Sequence, residues 1–333
     1  MALVTMVDMV DGKPAIVLRE IEPVAPGPGE VRYRVHAIGL NRADLLYLEG
    51  EHYVETRFPS RIGIEACGIV DAVGDGVTDF AVGDRVSTIP CANPDYAVGG
   101  EFAVTPADYL AHWPEHVPAE EACAFWMQYG TAYFPFRAHA RIAPGDTVMV
   151  TAASSSAGIG GIHLARLMGA QVIATTRTSA KAAALLAQGA HHVIATNEEP
   201  LAARMKELTG GAGVTLVYDP IAGPFIRSYI DGLAPGATVF VYGMLGGDPS
   251  IEYPIAPVLR LGATIRPYSA IPPLADPLLR AEMRTYLQLA MAAGRLRPVV
   301  DRVFALEDAV AAYDHMRSGT QFGKIVLKTR HAG

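Results

Sequence analysis

The segment ASSSAGIG, at residues 153–160, has the residue types needed to bind a phosphate group. It follows an apolar run at residues 147–152 and leads into helical spacing. Dinucleotide-binding folds place G-x-G-x-x-G here, because a tight turn, close backbone approach to a pyrophosphate and free helix N–H groups all require small residues. Ala153 and Ser155 stand at the first two glycine positions. The predicted phosphate-binding residues are Ser154, Ser155, Ser156, Ala157, Gly158 and Ile159.

The end of the next predicted strand, residues 171–175, is followed by hydroxyl groups and cations rather than by a carboxylate. NAD-binding folds place Asp or Glu there to hold the ribose 2′-OH. In this sequence Thr176, Arg177 and Lys181 are the candidates, and the Arg177 guanidinium suits a 2′-phosphate. The segment therefore predicts NADPH as the cofactor. The alternative for both segments is structural: a Ser-rich turn that caps a helix, and a solvated surface arginine.

Strands and helices alternate through the middle of the chain, which predicts βαβ units and a parallel sheet in an α/β fold. The predicted strands are residues 147–152, 171–175, 192–194, 214–218, 237–242 and 263–266. The carboxyl ends of such strands form the ligand crevice of an open α/β sheet. Further cofactor contacts are therefore predicted at Asp219, Ile221, Tyr242, Gly243, Tyr268 and Ser269. Ordinary loop structure is the alternative for these positions.

The first third of the chain has the period-two alternation of short strands separated by Gly, Pro and Asp. Residues 30–38, 69–73 and 85–89 give the clearest signals, and a barrel-like or sandwich-like domain is predicted. Residues 119–140 are Ala-rich and aromatic-rich, which predicts one mostly uninterrupted helix. The last part of the chain predicts two helices and two strands, at residues 278–293, 299–304, 306–317 and 324–328.

Composition excludes several classes of protein. Half of the 333 residues are hydrophobic and 18% are charged, which predicts a folded chain of about two domains. A net charge of −7 argues against binding to nucleic acid or to an anionic membrane surface. Three cysteines without a C-x-x-C pair indicate a reducing compartment. With no signal peptide and no membrane-spanning segment recognised, a cytoplasmic protein is expected.

Four short strings resemble the medium-chain dehydrogenase/reductase superfamily. They are GIEACGIV at 63–70, VGDRV at 82–86, YGTA at 129–132 and GKIVL at 323–327. The resemblance implies a GroES-like β-rich catalytic domain at residues 1–122 and a Rossmann domain, with a doubly wound parallel sheet, at 123–268. It also implies that residues 269–333 return to the catalytic domain and that Thr131 touches a nicotinamide cofactor.

The ligands of the zinc-dependent branch of this superfamily are missing from the sequence. The loop at residues 39–44 has no cysteine, and Ile64 replaces the histidine of a G-H-E string. Cys67, Cys91 and Cys123 are too few for a four-cysteine structural lobe. No metal is therefore predicted. The string G-[LV]-N-x-x-D at residues 39–44 resembles the zinc-independent quinone oxidoreductases and enone or enoyl reductases.

That resemblance implies hydride transfer from NADPH to a small-molecule quinone or α,β-unsaturated carbonyl compound. Asn41 is a candidate donor to a substrate carbonyl oxygen, and Tyr47 and Tyr53 are candidate proton donors or ring-stacking walls. For each tyrosine, a purely packing role is the alternative. For the whole chain, the alternative is a non-enzymatic NADPH-binding protein. A homodimer is also expected, because residues 263–266 form the last strand of the sheet and leave an edge to be paired.

Overall fold

The computed structural model describes residues 1–332 apart from Ala92, Pro249 and Glu252. The chain divides into two compact units, one made of Met1–Met127 with Ile271–Gly333 and the other of Gln128–Ala270. The sequence places these boundaries at residues 122/123 and 268/269. No helix in the described part of the chain has both the length and the apolar character required to cross a bilayer.

The strands are β1 (Ala2–Val10), β2 (Lys13–Ile21), β3 (Glu30–Gly39), β4 (Ser60–Arg61), β5 (Ala66–Val73), β6 (Arg85–Thr88), β7 (Phe102–Pro106), β8 (Leu110–His112), β9 (Thr147–Val150), β10 (Gln171–Thr176), β11 (His192–Ala195), β12 (Val214–Asp219), β13 (Leu233–Val241), β14 (Thr264–Pro267), β15 (Val300–Ala305) and β16 (Lys324–Lys328). The α-helices are α1 (Arg42–Glu49), α2 (Ala119–Ala122), α3 (Trp126–Tyr133), α4 (Ser156–Leu167), α5 (Ala182–Ala187), α6 (Leu201–Leu208), α7 (Ile255–Leu261), α8 (Ile271–Ala275), α9 (Pro277–Ala292) and α10 (Ala309–Ser318).

The unit Gln128–Ala270 contains a six-stranded sheet in the order β11-β10-β9-β12-β13-β14, with every neighbouring pair parallel. All six predicted strands are present, and the doubly wound α/β fold is confirmed. The strand order reverses direction at β9, where the chain leaves for β10 on one side and β12 lies on the other. Ligands of open α/β sheets bind outside the carboxyl ends of the strands at such a switch point. The turn after β9 therefore lies where a dinucleotide site is expected.

The unit built from the two chain ends is β-rich, and the predicted GroES-like fold is confirmed. Its larger sheet has seven strands in the order β15-β16-β3-β5-β6-β8, with β7 also paired to β3. A smaller sheet has the order β2-β1-β4. Strand β16, from the end of the chain, pairs with β3 near the start. The C-terminal segment is thus an integral part of the sheet.

The single helix predicted at residues 119–140 is wrong. The chain forms α2, then α3, then a π-helical turn at Phe134–His139. The Glu65 carboxylate accepts a hydrogen bond from the Met127 backbone N–H at 2.8 Å, and this satisfies a donor at the start of α3. Pro135 has no N–H group, so the α-helical ladder cannot continue unchanged through it. The start of α3 is thus set by a carboxylate far away in the sequence, and the change to a π-helical turn is set by the geometry of proline.

Strand β14 lies at the edge of its sheet, as the sequence predicts. The Tyr268 N–H donates to the Val241 carbonyl on β13 at 2.8 Å. Because backbone groups alternate in direction along a strand, Arg266 and Thr264 also face β13, whereas Ile265 and Pro267 face outward. Pro267 has no N–H to offer. Ile265 therefore carries the outward N–H that a second copy of the chain can pair with.

We expect the protein to be a dimer through this edge, with twice the 35.4 kDa mass of one chain. Changing Ile265 to Pro removes the outward N–H and should shift the mass measured by light scattering towards the monomer. Ile265→Val keeps the N–H and serves as the control. A monomeric wild-type protein at micromolar concentration contradicts the prediction.

Candidate functional site

The turn between β9 and α4 is shaped by a close approach of helix to strand. A Cβ atom at Gly158 would lie 2.8 Å from the carbonyl oxygens of Ala152 and Ala153, so only glycine fits there. The Ser155 hydroxyl accepts a hydrogen bond from the Gly158 N–H at 3.1 Å and caps the helix. Ile159 is buried beneath the turn. The turn thus presents the N-terminus of a twelve-residue helix, which is a favourable place for an anion.

Lys181, one of the two cations predicted at the ribose end, lies beside this turn. The Lys181 ammonium donates to the Ser154 hydroxyl at 3.4 Å, which joins the end of β10 to the phosphate turn. Arg177 is exposed directly after β10, and Thr176 is half-buried at its end. The structure therefore brings Ser154 and Lys181 together, and it leaves the Arg177 side chain at the protein surface.

A carboxylate that the sequence analysis missed also reaches this region. The Ser179 N–H donates to Glu198 Oε1 at 3.0 Å. Glu198 follows β11, which pairs in parallel with β10, so the ends of the two strands meet at the same edge of the sheet. The prediction of the ribose site rests only on residues that follow β10. The usable signal was the acidic pair that follows the neighbouring predicted strand.

The residues predicted at the ends of β12, β13 and β14 differ in their surroundings. The buried Asp219 carboxylate accepts hydrogen bonds from the Thr151 hydroxyl (2.6 Å), the Ile221 N–H (2.8 Å) and the Tyr229 hydroxyl (2.8 Å). Both carboxylate oxygens of Asp219 therefore already accept hydrogen bonds from groups of the same unit. Ser269 is exposed and Gly243 half-buried, and Thr131 on α3 is mostly buried.

Tyrosine side chains fill the space beside the same strand ends. The rings of Tyr218 and Tyr242 stack with centroids 3.9 Å apart. The hydroxyl oxygens of Tyr218, Tyr242 and Tyr268 are buried without a hydrogen-bond partner in the described part of the chain. Burial raises the pKa of Tyr242 and of Tyr268 far above the ordinary value for a phenol. All three hydroxyls are therefore neutral donors in a region of low polarity.

The other unit contains a buried ion pair next to the predicted catalytic loop. The Lys324 ammonium donates to Glu65 Oε2 at 2.7 Å and to Asn41 Oδ1 at 2.8 Å, and the two charged side chains are 2% and 0% exposed. The amide nitrogen of Asn41 donates to the Gly39 carbonyl at 3.0 Å and to Glu65 at 3.4 Å. Both ends of the Asn41 carboxamide are thus engaged. A substrate carbonyl would have to displace the long contact with Glu65 to receive its N–H.

The two predicted tyrosines occupy different environments. The buried Tyr47 hydroxyl lies 2.9 Å from the Ser60 hydroxyl and accepts from the Arg57 N–H at 3.0 Å, so it holds the loop after α1 in place. The Tyr53 side chain is 61% exposed, and its ring lies 4.0 Å from that of His52. This geometry favours a packing role for Tyr47 and leaves Tyr53 accessible. The catalytic roles of Asn41, Tyr47 and Tyr53 stay predictions.

Asp44 is a further buried acid at the start of α1. Its carboxylate accepts from the Asn41 backbone N–H at 2.9 Å and from the Tyr313 hydroxyl at 3.2 Å. Burial raises the pKa of Asp44 to about 6, although the hydrogen bond from Asn41 and the charge of Lys324 oppose the shift. Glu65 adds to the shift by repulsion. Asp44 therefore changes its charge within the pH range in which enzymes are commonly assayed.

Within residues 1–91, 93–248, 250–251 and 253–332, no three His, Cys, Asp or Glu side chains converge as a metal site requires. Cys67 and Cys123 are buried, and their thiols donate to the carbonyls of Ala119 and Glu120. Burial raises the pKa of the Cys123 thiol well above its ordinary value. These cysteines behave as small core residues.

A glycine-dependent turn at the switch point of a parallel sheet, with basic side chains beside it, defines a dinucleotide-binding protein. Comparisons with known proteins agree with this class. Residues 27–132 match the family model of the alcohol dehydrogenase GroES-like domain, and residues 157–292 match that of the zinc-binding dehydrogenases. The chain belongs to the medium-chain dehydrogenase/reductase superfamily, in its quinone oxidoreductase-like branch. It is an oxidoreductase of a family that binds nicotinamide cofactors.

Individual relatives extend over nearly the whole chain. A 2-haloacrylate reductase from Burkholderia sp is 32% identical in an alignment that covers 98% of this chain and 99% of that protein. A quinone oxidoreductase from Pseudomonas aeruginosa is 30% identical, with coverage of 95% and 96%. The solved structure of Escherichia coli quinone oxidoreductase complexed with NADPH is 27% identical and superimposes with a TM-score of 0.87, covering 98% of this chain and 100% of that one.

We expect the free energy of unfolding to fall as pH rises, because Asp44 has a higher pKa in the folded protein than in the unfolded chain. Between about pH 4 and pH 6 the unfolded carboxyl, with a pKa of 3.8, loses its proton while the folded one retains it. Ionisation therefore favours unfolding in this window, by about 2 kcal/mol between pH 4.5 and pH 7.5. Asp44→Asn keeps an acceptor for the Asn41 N–H and removes the titration. Urea unfolding should show the variant gaining about 2 kcal/mol over wild type between these two pH values. The exposed Asp314→Asn is the control, and an equal gain there contradicts the assignment to Asp44.

Proposed function

We propose that this chain is an NADPH-dependent, zinc-independent reductase that transfers hydride to a quinone or an α,β-unsaturated carbonyl compound. The observation that carries the proposal is the contact between Lys181 and Ser154, which joins a basic strand end to the phosphate turn. Two cations near a helix N-terminus suit a ligand with separate phosphate groups, as NADPH has. The turn has no side chain at Gly158, where a Cβ atom would collide with the backbone of Ala152 and Ala153.

When it is bound, NADPH supplies the hydride from its C4 atom. In the proposed mechanism, the N-terminus of α4 holds the pyrophosphate, and Arg177 and Lys181 hold the 2′-phosphate. Asn41, fixed by Lys324, orients the substrate carbonyl and stabilises the oxygen on which negative charge develops. Tyr53 is exposed and suits a stacking wall for a flat substrate.

The substrate class is supported by the chemistry that the relatives' names describe. A 2-haloacrylate and a quinone both have a carbon–carbon double bond conjugated to a carbonyl or carboxyl group, which makes the carbon β to that group electron-poor. Hydride can add to the β-carbon if the enolate-type oxygen that gains the displaced electron pair is stabilised. That requirement is modest compared with the reduction of an unactivated ketone, which needs a strong electrophile on the oxygen.

NADH is a second candidate cofactor. Glu198 lies next to Ser179, in the segment after β10 where the adenosine ribose of the cofactor is expected to bind. Its carboxylate is already held by the Ser179 N–H, and it can accept a hydrogen bond from a ribose 2′-OH. The same charge would repel a 2′-phosphate. Glu198 is exposed, however, so solvent weakens that repulsion. Arg177 and Lys181 outnumber it, and we therefore favour NADPH.

Two substitutions test the cofactor. Arg177→Ala should raise the Kd for NADPH about 10- to 100-fold and that for NADH less than about 3-fold, because a charge-assisted hydrogen bond is lost. Glu198→Gln should tighten NADPH binding several-fold. Isothermal titration calorimetry measures both, with Arg260→Ala, which breaks a surface pair with Asp231, as the control. Tighter NADH than NADPH binding by wild type, weakened by Glu198→Gln, favours the second candidate.

We expect turnover to be independent of metal. Protein dialysed against a strong chelator should oxidise NADPH at an unchanged rate with a naphthoquinone or with a 2-enone. The absence of three converging ligand side chains in the described residues supports this expectation. Loss of activity together with one zinc per chain contradicts it. NADPH binding without turnover on either substrate contradicts the proposed reaction and favours a binding protein.

A further inference from the structure

Gln128 is a buried amide beside the phosphate turn that the mechanism above does not use. Its side chain is 1% exposed. Its Oε1 accepts a hydrogen bond from the Ser156 hydroxyl at 2.9 Å, at the first residue of α4. Its Nε2 is buried and has no hydrogen-bond partner within the described residues. One end of the amide is therefore satisfied, and the other offers two unused N–H groups.

The position of Gln128 is fixed by two contacts with α4. A Cβ at Gly160 on α4 would lie 2.1 Å from the Gln128 carbonyl oxygen and 2.9 Å from its Cγ. Glycine at this position therefore allows α4 to approach Gln128 closely. The Ser156 hydroxyl then sets the orientation of the amide by binding its oxygen. Nε2 cannot turn towards Ser156 without breaking that bond.

A buried donor without an acceptor is unfavourable, because it loses its hydrogen bonds to water and gains none in exchange. Such groups in a folded protein call for an explanation, and a ligand is one. The bond with Ser156 places the Gln128 amide at the N-terminus of α4, where the pyrophosphate of a dinucleotide is expected. The hydroxyl of Tyr242 lies close to Ser155 on the same turn.

We propose that Gln128 donates a hydrogen bond from Nε2 to a pyrophosphate oxygen of the bound dinucleotide and so positions the cofactor on α4. The inference rests on the proposed function, since it requires a dinucleotide at this turn. It does not depend on the choice between NADPH and NADH, because both contain the pyrophosphate. Gln128 thus acts on the part of the cofactor that Arg177 does not reach.

Substitutions distinguish binding of the pyrophosphate by Gln128 from binding of the 2′-phosphate by Arg177. Gln128→Leu should raise the Kd for NADPH and the Kd for NADH by a similar factor, roughly tenfold, because a hydrogen bond to a charged group is lost. Arg177→Ala should affect NADPH alone. Gln128→Glu keeps an acceptor for Ser156 but turns an oxygen towards the phosphate, and it should weaken binding at least as much as Gln128→Leu. Gln188→Leu, which removes a partner of His163 on the same unit, is the matched control.

Thermal unfolding without cofactor distinguishes positioning from a structural role. Gln128→Leu removes an unpaired buried donor together with the bond to Ser156, so the Tm of the cofactor-free protein should stay close to that of wild type. Unchanged dinucleotide binding in both Gln128 variants overturns the inference, as does a loss of binding that occurs only with a matching fall in Tm. Wild-type binding of NADH rather than NADPH overturns the cofactor proposal and leaves the Gln128 test valid with NADH. Binding of neither overturns both.

Discussion

The unit made from the two chain ends depends on one buried ion pair. Lys324, near the end of the chain, donates to Glu65 and Asn41, and Glu65 in turn accepts from the N–H at the start of α3. A single carboxylate therefore connects three segments that are remote in sequence. Removing one partner of such a pair leaves the other charge buried and unpaired, which costs about 3–5 kcal/mol. The conformation of the loop at residues 39–44 follows from this pair, because it fixes Asn41.

The dinucleotide-binding unit depends on a different constraint, which is close contact between backbones. Gly158 allows α4 to begin directly against the end of β9, and Gly160 allows the same helix to approach Gln128. Serine can replace the second glycine of the usual pattern because Ser155 adopts an extended conformation there and caps the helix with its hydroxyl. The pattern thus tolerates a side chain wherever that side chain points away from the strand, and it does not tolerate one at position 158.

Local patterns predicted most of the fold. The six parallel strands, α9 and the terminal strand β16 follow from hydrophobic periodicity, and the phosphate turn follows from residue size. The first hairpin, β1 and β2, was not predicted, and the helix at residues 119–140 was wrongly joined. The missed polar contacts are all long-range. Glu198 reaches Ser179 across neighbouring strands, and Lys324 meets Glu65 over a separation of 259 residues. No spacing rule connects Lys324 with Glu65 over that separation, whereas Glu198 could have been found from the acidic pair that follows the neighbouring strand.

Strands β16 and β3 pair in the sheet although they lie almost 300 residues apart in the sequence, and this affects how the protein folds during synthesis on the ribosome. Strand β16 lies between β15 and β3, so the larger sheet of this unit lacks two strands until Lys328 has been added to the chain. Until then Glu65 has no cation to neutralise it, and a buried position is unfavourable for it. The unit Gln128–Ala270 is continuous in sequence and has no such requirement. Residues 128–270 can therefore fold while later parts of the chain are still being made, whereas the other unit cannot complete its larger sheet until β16 has left the exit tunnel.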